Sequence, residues 1–222
     1  MGQCAATESL PTTTPVFHYM PIAGRGEAIR MTAKIGGLQM EDHLTDGKDL
    51  ALKEFASPSG LPVFEHGDMK ISQAPAILAY VINIAPKYKG LTSAQKAKDM
   101  HIHMIVMDIM DGSVPSFFAK DPDMKTKIGA VLDKWYPMLE GIVPDSGFVN
   151  GLPFPTCADL SIVTLKEGHT PYIGINKIAE KDPWAKCPKL RALAERTAAV
   201  PEVKQFLDQS QTLKGNPLGF PA

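Results

Sequence analysis

Few side chains in this sequence stand where their type and spacing could do chemistry, and Tyr19 is the first of them. It closes the apolar run Val16-Phe17-His18-Tyr19 and opens onto Gly24-Arg25-Gly26 and then Glu27-Ala28-Ile29-Arg30. A tyrosine in a strand is most often a packing residue. This one sits at the C-terminal end of a first strand, beside a glycine-containing loop that opens a helix, and ligand sites of α/β sheets gather at such ends. A phenol there can donate a hydrogen bond to an anion, helped by Arg25 and the positive helix terminus.

The other chemistry-bearing patterns are weaker. Gly24-Arg25-Gly26 does not complete a dinucleotide fingerprint, because Ile29 stands where the third glycine belongs, and there is no Walker sequence. His101 and His103 lie two apart on a helix, about 200° around it, so they do not easily share a metal. Asp108 and Asp111 do share a face and read as a solvated or cavity-lining acidic pair, a metal site being the lesser alternative. No GxSxG nucleophile elbow occurs. No metal is expected.

The elements that must position Tyr19 can be read from local pattern. Residues 15 to 20 read as a strand, and the helix after Gly24-Gly26 runs to Ile35 and stops at Gly36-Gly37. Residues 38 to 44 allow a second strand. Leu61-Pro62-Val63-Phe64-Glu65, the turn His66-Gly67-Asp68 and Met69-Lys70-Ile71 read as a β-hairpin. Ser72-Gln73-Ala74-Pro75 then opens a helix whose buried stripe is Ile77, Tyr80, Val81 and Ile84. The order of this half is β-α-β-β-β-α. The Pro/Gly/Lys stretch Ala85-Pro86-Lys87-Tyr88-Lys89-Gly90-Leu91 is the domain boundary, and the chain beyond it reads as helix. Thr92 and Gln95 form a capping-box pattern. A long helix then reaches Phe118, with Met100, Met104 and Met107 on one stripe; the next carries Ile128, Val131, Leu132, Trp135, Leu139 and Ile142. Cys157-Ala158-Asp159-Leu160-Ser161-Ile162-Val163 is apolar nearly all round, which predicts a central buried helix.

Composition bounds the partners. The 222 residues carry 23 Lys plus Arg against 24 Asp plus Glu, a net charge of −1, so nothing calls for nucleic acid or an anionic membrane. Cys4, Cys157 and Cys187 form no CxxC pair, and an odd count suits a reduced, cytoplasmic setting. Met1-Gly2-Gln3-Cys4 hints at acylation, but Ala6 stands where the myristoylation pattern has Ser or Thr, and no stable membrane anchor is expected.

Four stretches together resemble the cytosolic glutathione transferases, nearest the sigma-like branch with a catalytic tyrosine: Tyr19 with AGRGEAIR; GLPVFEHGDMKISQAPAILAYV; FPTCADLSIVTL; and AAVPEVKQFLDQ. The resemblance covers about residues 15 to 210. Residues 1–14 read as a flexible tail and 86–92 as a link; the resemblance implies a thioredoxin-like glutathione-binding domain over 15–85, an all-helical domain over 93–222 that binds a hydrophobic electrophile, and a homodimer. It implies a cis bond before Pro62 and backbone pairing of Leu61, next to Gly60, with the cysteinyl part of glutathione. Gln73 and Ala74 would hold the γ-glutamyl end, Lys53 the glycyl carboxylate, and Arg25 would stand beside Tyr19. The electrophile would lie between Met20, Pro21 and Ile22 on the first loop and Met104, Met107 and Asp108 on the long helix.

Tyr19 would then hold the glutathione thiolate, the nucleophile that attacks the electrophile; isomerase or peroxidase activity could use the same sulfur. The sequence departs from the family pattern in places. Ala74 replaces a usual Ser or Thr, Asp49 aligns with a sigma-type tryptophan, Met104 or His103 falls near an acidic residue that many members send across the dimer, and Pro58 takes the place of an aromatic dimer key. Lys48 is a candidate to replace part of the lost contact. The alternative is a non-catalytic ligand-binding or structural protein on the same scaffold. Thioredoxin-type redox work is disfavoured, because no cysteine takes the strand-end position of Tyr19.

Overall fold

The computed structural model describes residues 11–166, 179–180 and 182–214. The acylation pattern and most of the expected tail lie outside these residues. Strands β1 (Val16–Tyr19), β2 (Glu41–Leu44), β3 (Val63–His66) and β4 (Met69–Ser72) form one sheet in the order β2-β1-β3-β4. Helix α1 (Glu27–Ile35) crosses between the parallel pair β1 and β2, and β3 runs antiparallel to both β1 and β4. Helix α2 (Ala74–Ile84) completes the β-α-β-β-β-α half. Phe17 and Tyr19 share the face of β1 that joins the core under α1 and α2, while the intervening His18 points to the other face.

Two details of this half differ from the pattern reading. In α2, Leu78 and Ile82 are buried beside Ile77, Val81 and Ile84, and Tyr80 is half-buried, its hydroxyl 2.9 Å from His66 Nδ1. A helix covering a sheet buries a wider stripe than the four positions expected. The His66 Nε2–H in turn donates to the Thr13 carbonyl at 2.9 Å, so the chain is already fastened at residue 13, ahead of β1. The boundary stretch is also packed: Pro86–Tyr88 is a 3-10 turn, Tyr88 is fully buried, and its hydroxyl donates to the Pro155 carbonyl.

The second half is helical. Helix α3 (Ser93–Phe118) starts with the expected capping box, Thr92 Oγ1 accepting from the Gln95 N–H at 3.2 Å and Gln95 Oε1 accepting from the Thr92 N–H at 2.9 Å. Then come α4 (Met124–Ile142), α5 (Cys157–Lys166), α6 (Pro188–Ala198), α7 (Pro201–Gln209) and the short α8 (Gln211–Lys214). Helix α5 touches three cores. Cys157 joins the sheet-side cluster; Ala158, Ile162 and Leu165 join the helical one; Leu160 and Val163 pack with Met31, Ile35 and Val203. That explains its apolar circumference, since each such side chain gains about 1.5–3 kcal/mol from full burial. In α4, Tyr136 is buried and Ile142 exposed, the reverse of the expected stripe at that end.

Candidate active site

Between the two halves lies a cleft of about 400 Å3, lined by Arg25, Ser57, Ser59, Gly60, Leu61, Pro62, Gln73, Ala74, Pro75 and Asp111. Its walls come from the loop after β1, the segment before β3, the N-terminus of α2 and the middle of α3. The Leu61–Pro62 bond is cis. Ser57 Oγ donates to the Gly60 carbonyl, bracing the turn that carries Leu61. Gln73 caps α2 with φ +74° and ψ +111°, a conformation that costs a non-glycine residue about 1–3 kcal/mol. No side chain caps this helix, and Pro75 in its first turn has no N–H. The first-turn N–H groups and the helix dipole therefore point at the cleft and suit a carboxylate.

Tyr19 stands just behind this wall and is 3% exposed. The Arg25 backbone N–H donates to its hydroxyl oxygen at 3.2 Å. Among the described residues none accepts the Tyr19 O–H proton in return. Burial pushes the phenol pKa up against the opposing Arg25 N–H bond and the charges of Arg25 and Arg30, so Tyr19 is a neutral donor at physiological pH. The glycines make room for it: a Cβ at Gly24 would lie 2.7 Å from the Tyr19 hydroxyl, and one at Gly26 2.5 Å from its ring. Arg30 braces the other side. Its guanidinium lies 5.4 Å from the Phe17 and 5.6 Å from the Tyr19 ring centroid, and it donates to the Ile22 carbonyl at 2.8 Å and to Asp42 at 2.7 Å.

Of the residues expected to hold glutathione, Arg25, Gly60, Leu61, Pro62, Gln73 and Ala74 are brought to this one cleft. Lys53 lies on the 3-10 turn Leu52–Phe55 and is exposed, outside the cleft lining. Asp49 turns away to accept from Thr45 Oγ1 and to pair with His43 at 3.3 Å. Lys48 pairs with Asp46 at 2.6 Å and lies outside the cleft lining. The electrophile set is split. Ile22 and Met107 are buried in different cores, Met20 and Pro21 are half-buried, and Met104 and Asp108 are exposed on α3. The single methionine stripe breaks up because α3 packs on both domains: Met100 against the sheet-side cluster, Met107 within the helical one.

Ser57, Ser59, Pro75 and Asp111 were not expected in the cleft. Asp111 accepts from the Arg25 guanidinium across the two halves, tying the loop after β1 to α3. Its signal was present as the acidic pair Asp108/Asp111, but the partner stands 86 positions away. Among the described residues no group of three or more His, Cys, Asp or Glu side chains is set to hold a metal ion. No helix there is long and apolar enough to cross a membrane.

No protein-family model matches the chain. In sequence it is 29% identical to a glutathione S-transferase of Antechinus stuartii, over 85% of this chain and 86% of that protein. It is also 29% identical to glutathione S-transferase P 1 of Xenopus laevis, over 86% and 91%. In structure it matches the crystal structure of the glutathione S-transferase from Ascaris lumbricoides with a TM-score of 0.71 and 22% identity, covering 89% of this chain and 98% of that one. It matches monomeric Na-GST-3 of the hookworm Necator americanus with a TM-score of 0.70 and 19% identity, covering 88% and 97%. In sequence and in fold the chain is similar to glutathione S-transferases, transferase enzymes that use glutathione.

Proposed function

We propose that the cleft binds glutathione and that Tyr19 holds its sulfur as the thiolate, which attacks a bound electrophile. The observation that carries this reading is the buried, neutral Tyr19 hydroxyl, already accepting from the Arg25 N–H and with its own proton unclaimed among the described residues. A phenol so placed donates to an anion at the cleft wall. That bond favours the charged form of a thiol otherwise mostly protonated at neutral pH, and each unit of pKa lowering is about 1.4 kcal/mol. The accepted bond polarises the donated one.

In this reading the α-carboxylate of the γ-glutamyl end takes the uncapped N-terminus of α2 beside Gln73. The Ala74 N–H serves in place of the usual hydroxyl. The cysteinyl backbone runs along Leu61 and Pro62, and Lys53 reaches toward the glycyl carboxylate. Arg25, held by Asp111, places positive charge beside the sulfur. The electrophile lies against Met20, Pro21, Met104 and Asp108; Ile22 and Met107 act from behind, as core supports. Once both are bound, the remaining catalysis is proximity. Placement in the sigma-like branch, a homodimer and a cytoplasmic location belong to the same proposal.

Binding without catalysis is the second reading, favoured by Ala74, which removes one hydroxyl contact. Calorimetry with glutathione, followed by turnover of a chromogenic aryl halide by wild type and Tyr19→Phe, separates the two. Transfer that falls about 10–100-fold in the variant, at unchanged glutathione affinity, supports catalysis. Binding with no transfer in either protein supports the carrier, and no binding removes both.

A further inference from the structure

A second cavity lies between α1, β2 and the corner where α7 gives way to α8. It encloses about 340 Å3 and shares no lining residue with the cleft. Local periodicity builds its walls. Arg30, Ala33 and Lys34 are neighbours on α1 at helical spacing, and Phe206, Gln209 and Ser210 repeat that spacing at the end of α7. Met40, just ahead of β2, and Asp42 and Leu44 within it alternate along the edge of the sheet and so share one face. Small-molecule sites enclose about 300–1,000 Å3, so the volume suffices for a small ligand.

Buried charge keeps this space open. Arg30 donates to Asp42 at 2.7 Å and lies 3.4 Å from the buried Glu27 carboxylate. Glu27 also accepts from Ser210 Oγ at 3.1 Å and from Thr212 Oγ1 at 2.7 Å. Those bonds pin the α7–α8 corner to α1, while Phe206 packs on the core around Val203. Asp42 and Glu27 are thus both matched to Arg30. The remaining donors are not matched. Lys34 is exposed and has no ion-pair partner among the described residues, and the side-chain amides of Gln209 and Gln211 make no hydrogen bond among them. The same cavity is lined by Leu38, Met40 and Phe206, all half-buried, and by Leu44, which is 40% exposed on the edge strand. Apolar side chains with a few unpaired polar groups are the make-up of a ligand site.

We propose that this cavity is a second ligand site, separate from the cleft, for a small amphipathic carboxylate. The apolar body lies against Leu38, Met40, Leu44 and Phe206. The carboxylate takes Lys34, with the amides of Gln209 and Gln211 as further donors. The charge count sets the ligand class. One unpaired cation suits a single negative charge. Glu202 lines an adjoining hollow of about 290 Å3 that shares Lys34 with the cavity, and it opposes a second negative charge, which disfavours a phosphate or a dicarboxylate. The proposal does not rest on the glutathione reading, because none of these side chains lines the cleft.

The test uses the whole chain with its Leu and Met methyl groups labelled for magnetic resonance. The probe is 4-phenylbutanoate, whose ring shifts the methyls it touches, and 4-phenylbutan-1-ol is the same body without the charge. Titration with the carboxylate should move the Met40 and Leu44 methyls saturably at neutral pH. Lys34→Gln changes an exposed side chain and should leave the unliganded spectrum native elsewhere. It should raise the Kd of the carboxylate about three- to tenfold, between the loss of an exposed ion pair and that of a charge-assisted hydrogen bond, and leave the Kd of the alcohol unchanged. The alcohol thus separates loss of charge from loss of the cavity. No saturable shift at Met40 and Leu44 overturns the proposal. So do shifts at Met20, on the loop beside the cleft, without shifts at Met40 and Leu44. An unchanged carboxylate Kd in Lys34→Gln, or an equal loss for the alcohol, overturns the assignment of Lys34 and with it the ligand class.

Discussion

Two helix N-termini in this molecule have opposite chemistry. At α5, the Asp159 carboxylate accepts from the Val149 N–H at 2.9 Å and the Thr156 N–H at 2.8 Å, and Asp99 accepts from the Ala158 N–H at 3.1 Å and Thr156 Oγ1 at 2.6 Å. The protein supplies its own anions, and the corner is sealed. At α2, no side-chain cap is present, the capping residue Gln73 is held at positive φ, and the terminus opens into a cleft. The difference teaches where to look for a ligand: at the terminus whose donors the chain leaves for something else.

The largest test of that contrast is at the sealed end. Asp159→Ala leaves two buried backbone donors without partners, so chemical unfolding should show a loss of about 2–4 kcal/mol. A loss below about 1 kcal/mol, no more than an ordinary cap, would put the two termini on the same footing.

Acid separates the regions next. Burial raises the Asp159 pKa to about 6, so the stability linked to its protonation is full below the ordinary carboxylate value and is lost as pH rises through about 6. Burial lowers the His103 pKa to about 4, so its contribution is present above the ordinary imidazole value and is lost as pH falls through about 4. The two oppose each other over the same window. His103→Asn can keep the bond that His103 Nδ1 makes to Ser161 while removing the titration. At pH 4.5 that variant should retain about 2–3 kcal/mol more of its neutral-pH stability than wild type. Parallel acid loss in both proteins would show that His103 is not the acid-labile group.

At the open end the effects are smaller in stability and appear in function. Gly26→Ala puts a methyl against the Tyr19 ring and should cut transferase turnover about tenfold or more, with near-native glutathione binding. Gln73→Gly should raise stability by up to about 1 kcal/mol by removing the positive-φ penalty while weakening glutathione binding. A variant that gains stability and keeps its affinity would show that the strained cap has no role in binding.

Much of this was legible in the sequence where local rules govern. The strand ending in Tyr19, the glycine loop, the hairpin at His66-Gly67-Asp68 and the Thr92/Gln95 capping box each depend on residues a few positions apart. The local pattern gave the strand at Leu61-Pro62 and the helix start at Gln73-Ala74, while their place in a binding cleft came only from the family resemblance. Asp111 was not legible, because its bond to Arg25 is purely tertiary. Nor was the fate of Met104 and Met107, since a helix wedged between two domains buries more than one side and periodicity does not say which side meets which core. The turning of Asp49 toward His43 and Thr45 likewise depends on a pairing of β1 with β2 that no local pattern announces.

The most direct measurement is the ultraviolet absorbance of glutathione thiolate on the protein as pH is varied, in wild type and Tyr19→Phe. If Tyr19 donates to the sulfur, wild type holds thiolate near neutral pH and the variant loses it, its titration moving up by about one to two units for the loss of a bond worth about 1.5–3 kcal/mol. If saturating glutathione gives no thiolate signal in either protein, or the same signal in both, Tyr19 is a packing residue and the account of this site is wrong.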